Sequence, residues 1–395
     1  MRHLVRTAVS ATLAAGLVIA ASATASAAPS LEDAVAREMV EHKGGEAAAA
    51  YGLNAQSTPD PQIEPRDESG AWSFGGAVFL IPDDVEASPV TSLYLAERVG
   101  GQWQVHLDGT EEFAEAADRA PSRLFSSPGE QESLAERPGE AQAAAQPGLA
   151  APWQADQGGW RHWGVHGNSG TSRPYNSIDF YGGDGWTRAS AGGYIYYYCG
   201  TSTPHMEIRH GAGWTTGYYH LRQQTRYDSG SYVDRYAPLG HIGEQLPCGG
   251  RANGDHVHWT LWYNGDAVSV NGRTVGGWAW YEQNAYQGWA ERNGTRLYNS
   301  NCCLTNYGPG YSEVLGTAHN PGGVVNVRNG PGASSGIVRT VSHGQQVPLA
   351  CHVRGEAMEG PWGNTSDIWN RLEDGSYVSD AWMDTGSNDP VVPAC

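Results

Sequence analysis

The chain of 395 residues is long enough for two or three domains. Its 53 glycines, 15 tryptophans and 20 tyrosines against 5 phenylalanines suit turn-rich β structure better than helices. The formal charge of −18 is concentrated in residues 28–150, which carry 22 acidic against 7 basic side chains; no basic footprint of a nucleic-acid binder is present, and no apolar run reaches the about 20 residues of a membrane span.

Arg2, His3 and Arg6 precede the small apolar run 8–21, and Ala25-Ser26-Ala27 supplies a small-x-small cleavage site. Residues 1–27 therefore read as a secretory signal peptide, and the mature protein as soluble and exported. The next unit, 28–150, is expected to be a small α+β module: a helix over Leu31–Tyr51, then strands over residues 72–81 and 92–107, the latter broken at Gly100-Gly101 as a hairpin would be. From Glu111 to Ala151 the chain turns to Ala, Glu, Gln, Pro and Ser, a linker composition with too little apolar surface to fold alone.

Residues 151–312 are a run of short strands and glycine turns. A strand is expected at 193–199, a hairpin of 206–210 and 214–221 around Gly211-Ala212-Gly213, and a second hairpin of 257–263 and 267–270 across Asn264-Gly265. Almost nothing has helical period, so antiparallel sheets are expected. Eight histidines fall in this unit, at 162, 166, 205, 210, 220, 241, 256 and 258. In Gly254-Asp255-His256-Val257-His258-Trp259-Thr260-Leu261-Trp262, residues two apart share a face of a strand. His256, His258, Thr260 and Trp262 then form a chemical face, and Val257, Trp259 and Leu261 a core face. Asp179, between Ile178 and Phe180, and His220, between Tyr219 and Leu221, have the same setting. A catalytic zinc needs three nitrogen or oxygen ligands and an open position, and no HExxH is present to build the helical version of such a site. His162 precedes His166 by one helical turn, but Gly164 and the flanking tryptophans indicate a loop. His205, His210 and His241 lie near turns or in apolar strand contexts and are expected to stay off any metal.

His166 and Asp179 with 12 residues between them, then Tyr218-Tyr219-His220-Leu221, then Gly254-Asp255-His256-Val257-His258, resemble in this order the lysostaphin-type zinc metallopeptidases. The long first spacing is similar to that of their β-lytic endopeptidase branch, and the likeness covers about residues 160–306. The resemblance implies that His166, Asp179 and His258 ligate one Zn²⁺ and that His220 and His256 are the catalytic, non-ligating histidines. His256 is the candidate base and His220 the candidate for steadying the oxyanion and passing a proton onward, with the first proton open to either imidazole. Such an ion lowers the pKa of its water to about 7, and strand residues about 7 Å apart at Cα let His258 bond the metal while His256 reaches that water. His210 matches a recurrent family position that is not a ligand. Two departures stand out: Asp255 directly precedes His256, and adjacent Cys302 and Cys303 enclose a shorter loop than the C-terminal cysteine pair of the branch.

Residues 313–395 are expected to form a small β-barrel, with strands near 324–328, 337–341, 347–352, 368–372 and 377–382. Val325-Asn326-Val327-Arg328-Asn329-Gly330-Pro331, Trp369 and Asp374-Gly375-Ser376-Tyr377-Val378-Ser379 resemble the bacterial Src-homology-3-like domains of secreted hydrolases. That resemblance implies binding of cell-wall peptide, with Trp362, Trp369, Tyr377 and Trp382 as exposed candidates if they are not barrel core. Six cysteines in an exported chain are expected to pair within units: Cys199 with Cys248, Cys351 with Cys395, and adjacent Cys302 and Cys303 least certainly placed.

Together these readings describe a mainly β chain of antiparallel sheets: a signal peptide (1–27), an acidic pro-segment and linker (28–150), a metallopeptidase domain (151–312) and a wall-binding barrel (313–395). The expected protein is a secreted, monomeric zinc endopeptidase that binds peptidoglycan and cuts Gly-containing or D-alanyl-linked cross-bridges, with neither nucleic acid nor membrane as partner. Maturation would place a new N-terminus between about Ala143 and Trp153. The alternatives are a general extracellular protease of Gly-rich proteins such as elastin, or a wall-binding protein that keeps the fold without catalysis.

Overall fold

The computed structural model describes residues 29–54, 59–136, 148–200, 202–211, 213–299, 301–309, 314–372, 376–392 and 394–395. The expected signal peptide and residues 137–147 of the expected linker lie outside the described residues. Ser30 opens helix α1 (Leu31–Tyr51): its hydroxyl accepts from the Asp33 N–H while Asp33 reaches back to the Ser30 N–H, and Gly52 at φ 66° closes the helix. The helix packs on an antiparallel meander of β1 (Gln62–Ser69), β2 (Trp72–Phe79), β3 (Val90–Val99) and β4 (Gln102–Leu107), with Gly100 and Gly101 turning the last hairpin as the sequence predicts.

Residues 111–134, expected as linker, are folded: α2 (Glu111–Arg119), a 3-10 turn (Ser122–Leu124) and α3 (Pro128–Leu134). Composition underestimates this stretch because its few apolar groups are all used. Thr110 and Ser127 cap the two helices, and Phe113, Leu124, Phe125 and Leu134 are buried against a sheet that the preceding strands already supply.

The following strands are β5 (Trp160–His166), β6 (Ser177–Gly182), β7 (Trp186–Arg188), β8 (Gly193–Tyr198), β9 (His205–Arg209), β10 (Trp214–Arg222), β11 (Tyr232–Val233), β12 (Pro238–Gln245), β13 (Val257–Tyr263) and β14 (Asp266–Ala267). They form one sheet in the order β11-β8-β9-β10-β13-β6-β5, with β12 joined to β10 and β7, and β14 to β13. The pairings are antiparallel, as expected for a segment without helical period. Residues 160–166 are strand where the sequence suggests a loop, because Gly164 at φ 93° makes a bulge, seen as a register slip between His162 and Val165, and does not end the strand.

One face of this sheet buries Trp153, Trp160, Phe180, Tyr218, Trp259 and Trp280, which contribute ~1.5–3 kcal/mol each on the usual scale for large apolar side chains. The opposite face, bearing Tyr196, Tyr198, Tyr219 and His258, is covered by the N-terminal module, whose apolar core is continuous with Tyr196, Tyr198, Cys199, Tyr219 and Cys248. Thr260 and Trp262, expected on the chemical face, lie under this cover, with the indole N–H of Trp262 donating to the Thr260 hydroxyl at 3.0 Å. Polar contacts reinforce the docking: Lys43 Nζ lies 2.8 Å from Asp266, Tyr196 donates to Glu130 at 3.0 Å, and Arg209 pairs with Asp108.

A four-stranded sheet over residues 274–298 and a seven-stranded sheet over residues 315–384 complete the chain. In the latter, residues 380–382 turn into a 3-10 helix and do not extend the strand (Tyr377–Ser379) before them. Trp369, a candidate surface aromatic, is core: it is buried, with its indole N–H donating to the Glu356 carbonyl at 2.8 Å. Trp362 is 49% exposed and stacks on His319. Cysteine pairs are Cys199–Cys248, Cys302–Cys303 and Cys351–Cys395. Among the described residues no helix is long and apolar enough to cross a membrane.

Candidate active site

The strand register brings the motifs together. On β13, His258 lies opposite Asp179 of β6 on one side and Tyr219 of β10 on the other. Directly opposed residues in an antiparallel pair point to the same face, so Asp179 and His258 meet there. His166, at the end of β5, reaches the same point from beyond β6: its Nε2 is 3.1 Å from Asp179 Oδ2, and His258 Nδ1 is 2.9 Å from Asp179 Oδ1. All three side chains are fully buried.

These contacts are too poorly aligned to be hydrogen bonds. His166 Nε2, both Asp179 oxygens and both His258 nitrogens are buried without a hydrogen-bond partner. Nδ1 of His166 lies 2.8 Å from the Gly167 carbonyl and donates to it, and although burial works against charge there, Asp179 raises the His166 pKa, so the carboxylate favours positive charge at Nε2, whether a proton or a metal ion. A neutral imidazole lone pair facing carboxylate lone pairs is repulsive unless a cation lies between them. One atom from each of His166, Asp179 and His258 lies within 4.8 Å of the others, which suits three ligands of one ion, and the backbone-anchored Nδ1–H of His166 is the outer support such a ligand needs. Burial works against charge on Asp179, yet His166, His256 and His258 around it outweigh burial and hold its carboxyl well below the usual range. Burial keeps His258 unprotonated, at about 4.

His256 and His220 adjoin the triad. The rings lie 4.7 Å apart, and His256 Nε2 is 3.7 Å from Asp179 Oδ1. Each ring anchors its Nδ1 on a carbonyl, His256 on Gly254 at 2.8 Å and His220 on Gln245 at 3.0 Å, and each leaves a buried Nε2 without a partner. His256 reaches the site by simple alternation from His258. His220 does not. Its neighbour Tyr219 already faces the His258 side, so a regular strand would turn His220 to the opposite face. A register slip between His220 and Arg222 and a φ of 70° at His220 re-aim the ring toward His256. Burial first, then the nearby His256 and His258, depress the His220 pKa well below its ordinary value.

Other groups complete the surroundings. Tyr286 stacks on His166 with ring centroids 4.3 Å apart, and Trp163 packs against His256 at 5.0 Å. Both line a cavity of about 610 Å³ beside the cluster, together with Arg251, Asn253 and Glu86. Tyr286 lies in a loop and Trp163 on β5, and no motif sets either apart from the chain's 20 tyrosines and 15 tryptophans. Asp255 does not orient the His256 ring: it is half-exposed and accepts from Arg222 at 3.1 Å.

The remaining histidines are structural. His162 accepts from the Gly164 N–H and donates to the Leu297 carbonyl; His210 donates to the Gly192 carbonyl and meets the Thr216 hydroxyl. His205 lies 3.3 Å from Glu207, and His241 3.0 Å from the Ile242 carbonyl. Burial pushes both His162 and His210 down to about 4. A folded-state pKa below the ordinary histidine value means the unfolded chain binds protons the fold excludes, so stability is lost as pH falls from about 6.5 toward 4 at ~1.4 kcal/mol per pH unit per ring. The urea midpoint is therefore expected to fall between pH 7 and pH 5. His210→Gln should make that decline shallower than in wild type whatever its stability at pH 7, and an unchanged slope would refute the assignment.

The family model described as "Peptidase family M23" matches residues 173–270, a span that contains Asp179, His220, His256 and His258 and begins after His166. The beta-lytic metalloendopeptidase of Lysobacter enzymogenes is 32% identical over 174 residues, 41% of this chain and 90% of that protein. Protease LasA of Pseudomonas aeruginosa is 30% identical over 181 residues, 43% of this chain, and the match spans 39% of LasA. A solved structure described as "A Novel M23 Metalloprotease Pseudoalterin from Deep-sea" is similar over 40% of this chain and 97% of its own, with 29% identity and a TM-score of 0.36.

Proposed function

Because the chain belongs to peptidase family M23, we propose that it is an exported zinc endopeptidase, made as a zymogen, that hydrolyses the peptide cross-links of bacterial peptidoglycan. The observation that carries this reading is the convergence of His166 Nε2, Asp179 and His258 Nδ1, all buried and unpartnered, on one point. These atoms would hold Zn²⁺, which when bound supplies a Lewis acid and an acidified water at its open position.

The chain's own residues supply the proton transfers. His256 Nε2, buried without a hydrogen-bond partner and 3.7 Å from Asp179 Oδ1, adjoins the three proposed ligands and suits the base. His220, held unprotonated at rest by burial and two neighbouring imidazoles, has a free Nε2 beside His256 and suits a relay that takes up the proton His256 removes from water and passes it to the departing amine. Tyr286 holds the His166 ring by stacking on it, and Trp163 packs against the His256 ring at a tilt.

The acidic module of residues 28–150 is the pro-segment in this proposal, and its cover over the His258 face supports that role. The C-terminal sheet, read as a Src-homology-3-like wall-binding module, offers Trp362 as its exposed aromatic. Secreted, processed protein, acting as a monomer, is expected to clear a suspension of Gram-positive walls, to lose that activity in chelator, and to release fragments whose masses report cuts at Gly-containing or D-alanyl bonds. Digestion of elastin or casein in preference to walls would replace the substrate assignment, and zinc binding without turnover on sacculi would leave only a wall-binding protein.

A further inference from the structure

The seven-stranded C-terminal sheet holds a cavity of about 270 Å³ that the peptidase site does not use. Trp362 lines it from the turn 360–364, which joins the strands Gln346–Glu359 and Thr365–Leu372. The Gly360 N–H donates to the Asn364 carbonyl at 2.8 Å and closes that turn. A Cβ at Gly360 would collide with the Ala381 carbonyl oxygen, so glycine is what lets the turn lie against the 3-10 helix Asp380–Trp382. His319, whose N–H donates to the Trp382 carbonyl at 2.9 Å, stacks on the Trp362 indole with ring centroids 4.1 Å apart and planes 20° from parallel. The stacking fixes the plane of the indole, which remains 49% exposed.

The polar groups of the lining are mostly acceptors. Asp380 is buried, with its Oδ1 accepting from the Asn370 amide at 2.8 Å, and Asp384 is exposed, with its Oδ1 accepting from the Gly386 N–H at 3.2 Å. Asn364 adds a side-chain oxygen that is buried without a hydrogen-bond partner. No lysine or arginine lines the cavity, and among the described residues neither carboxylate is in an ion pair. Two carboxylates, an unpartnered amide oxygen and an indole face together suit a cation that donates several hydrogen bonds. A divalent metal ion fits poorly: calcium takes about six to eight oxygens, and among the described residues neither Asp380 nor Asp384 belongs to a group of three that could share an ion. A primary ammonium is compact, carries three N–H donors and is drawn to an indole face. We propose that this cavity binds the primary ammonium of a wall peptide, either the terminal amine of a glycine bridge or a lysine-type side chain, with Asp380, Asp384 and Asn364 accepting its N–H donors and Trp362 flanking the charge. Hydrolysis of an amide cross-link yields a carboxylate and an amine, so each cut by the proposed peptidase leaves a new group for this site to hold.

The site rests on the wall-binding reading of the C-terminal sheet, and metal-free protein tests it without hydrolysis. The full chain, with isotope-labelled tryptophan, is kept in chelator and titrated with small amines, the indole NMR signal that is missing from Trp362→Phe serving as reporter. Triglycinamide carries a free α-amine and Nα-acetyl-lysinamide a free side-chain amine; a shift with either supports the site and names the source of the ammonium. Acetyl-triglycinamide, which has no amine, should leave the signal unmoved. Asp384→Asn, at an exposed position, should weaken binding about threefold at low salt without changing the melting temperature. Trp362→Ala should weaken sedimentation of the chain with isolated sacculi about tenfold, and so should capping the amines of the sacculi with acetic anhydride. A shift with acetyl-triglycinamide equal to that with triglycinamide, or no shift with either amine, would overturn the ammonium site. Wild type that sediments equally with native and capped sacculi would keep its wall-binding role and lose this site, whereas wild type that sediments with neither would lose the wall-binding reading and the site together.

Discussion

Converting Asp179 to asparagine is expected to strip the chain of stoichiometric zinc and to cut hydrolysis of wall peptide by about a thousand-fold or more, a loss of the several kcal/mol that a bound Lewis acid supplies. The substitution is nearly isosteric, so the strand pairing of Asp179 with His258 should survive it. What disappears is the charge. Asp179 offers the only carboxylate among the three proposed ligands, and both of its oxygens are buried with no hydrogen bond to spare. Neutral His166 and His258 with an amide between them hold a divalent ion far less well. His258→Ala should have the same effect on metal content. Zinc should raise the melting temperature of wild type, since an ion that binds only the folded state stabilises it by mass action, and should leave that of Asp179→Asn unmoved. Metal analysis of purified protein and melting with and without zinc decide the matter; full zinc content in Asp179→Asn would remove this residue from the ligand set.

The ligand positions were legible because they obey strand alternation. Asp179 sits between two core residues, His258 between Val257 and Trp259, and both follow the period of two that sets their face. His256 follows from the same period. Likewise the hairpin at Gly100-Gly101 and the antiparallel sheets are written in local turn chemistry and alternation. Glu86 was not legible: it is 93 residues from Asp179, in a loop with no motif, and only the docking of one module on another brings it near. Residues 111–134 misled in the other direction, because helix formation there depends on a neighbouring sheet that composition does not register. Trp369 was ambiguous for a related reason: an aromatic every few residues in a small barrel can face either way, and the Glu356 carbonyl that satisfies its indole is a tertiary partner.

His220 is the residue whose position breaks the pattern, and its substitution separates ligand from catalyst. The backbone there sits at φ 70°, which asparagine tolerates far better than alanine does, so His220→Asn removes the imidazole while keeping the bulge that aims it. The variant is expected to retain one zinc per chain, because His220 Nε2 is not among the three atoms that meet at Asp179. Its kcat should nevertheless fall by about 10²–10⁴, the range for loss of a positioned proton-transfer group, and His256→Gln should match it. If the two imidazoles act on one proton path, the double variant will be little worse than either single one, since groups that work as a unit do not contribute additively. Metal content, kcat on a Gly-rich peptide and the double variant together test the division of labour: loss of zinc in His220→Asn would make it a ligand, and an unchanged kcat would make its strained backbone a feature of folding alone.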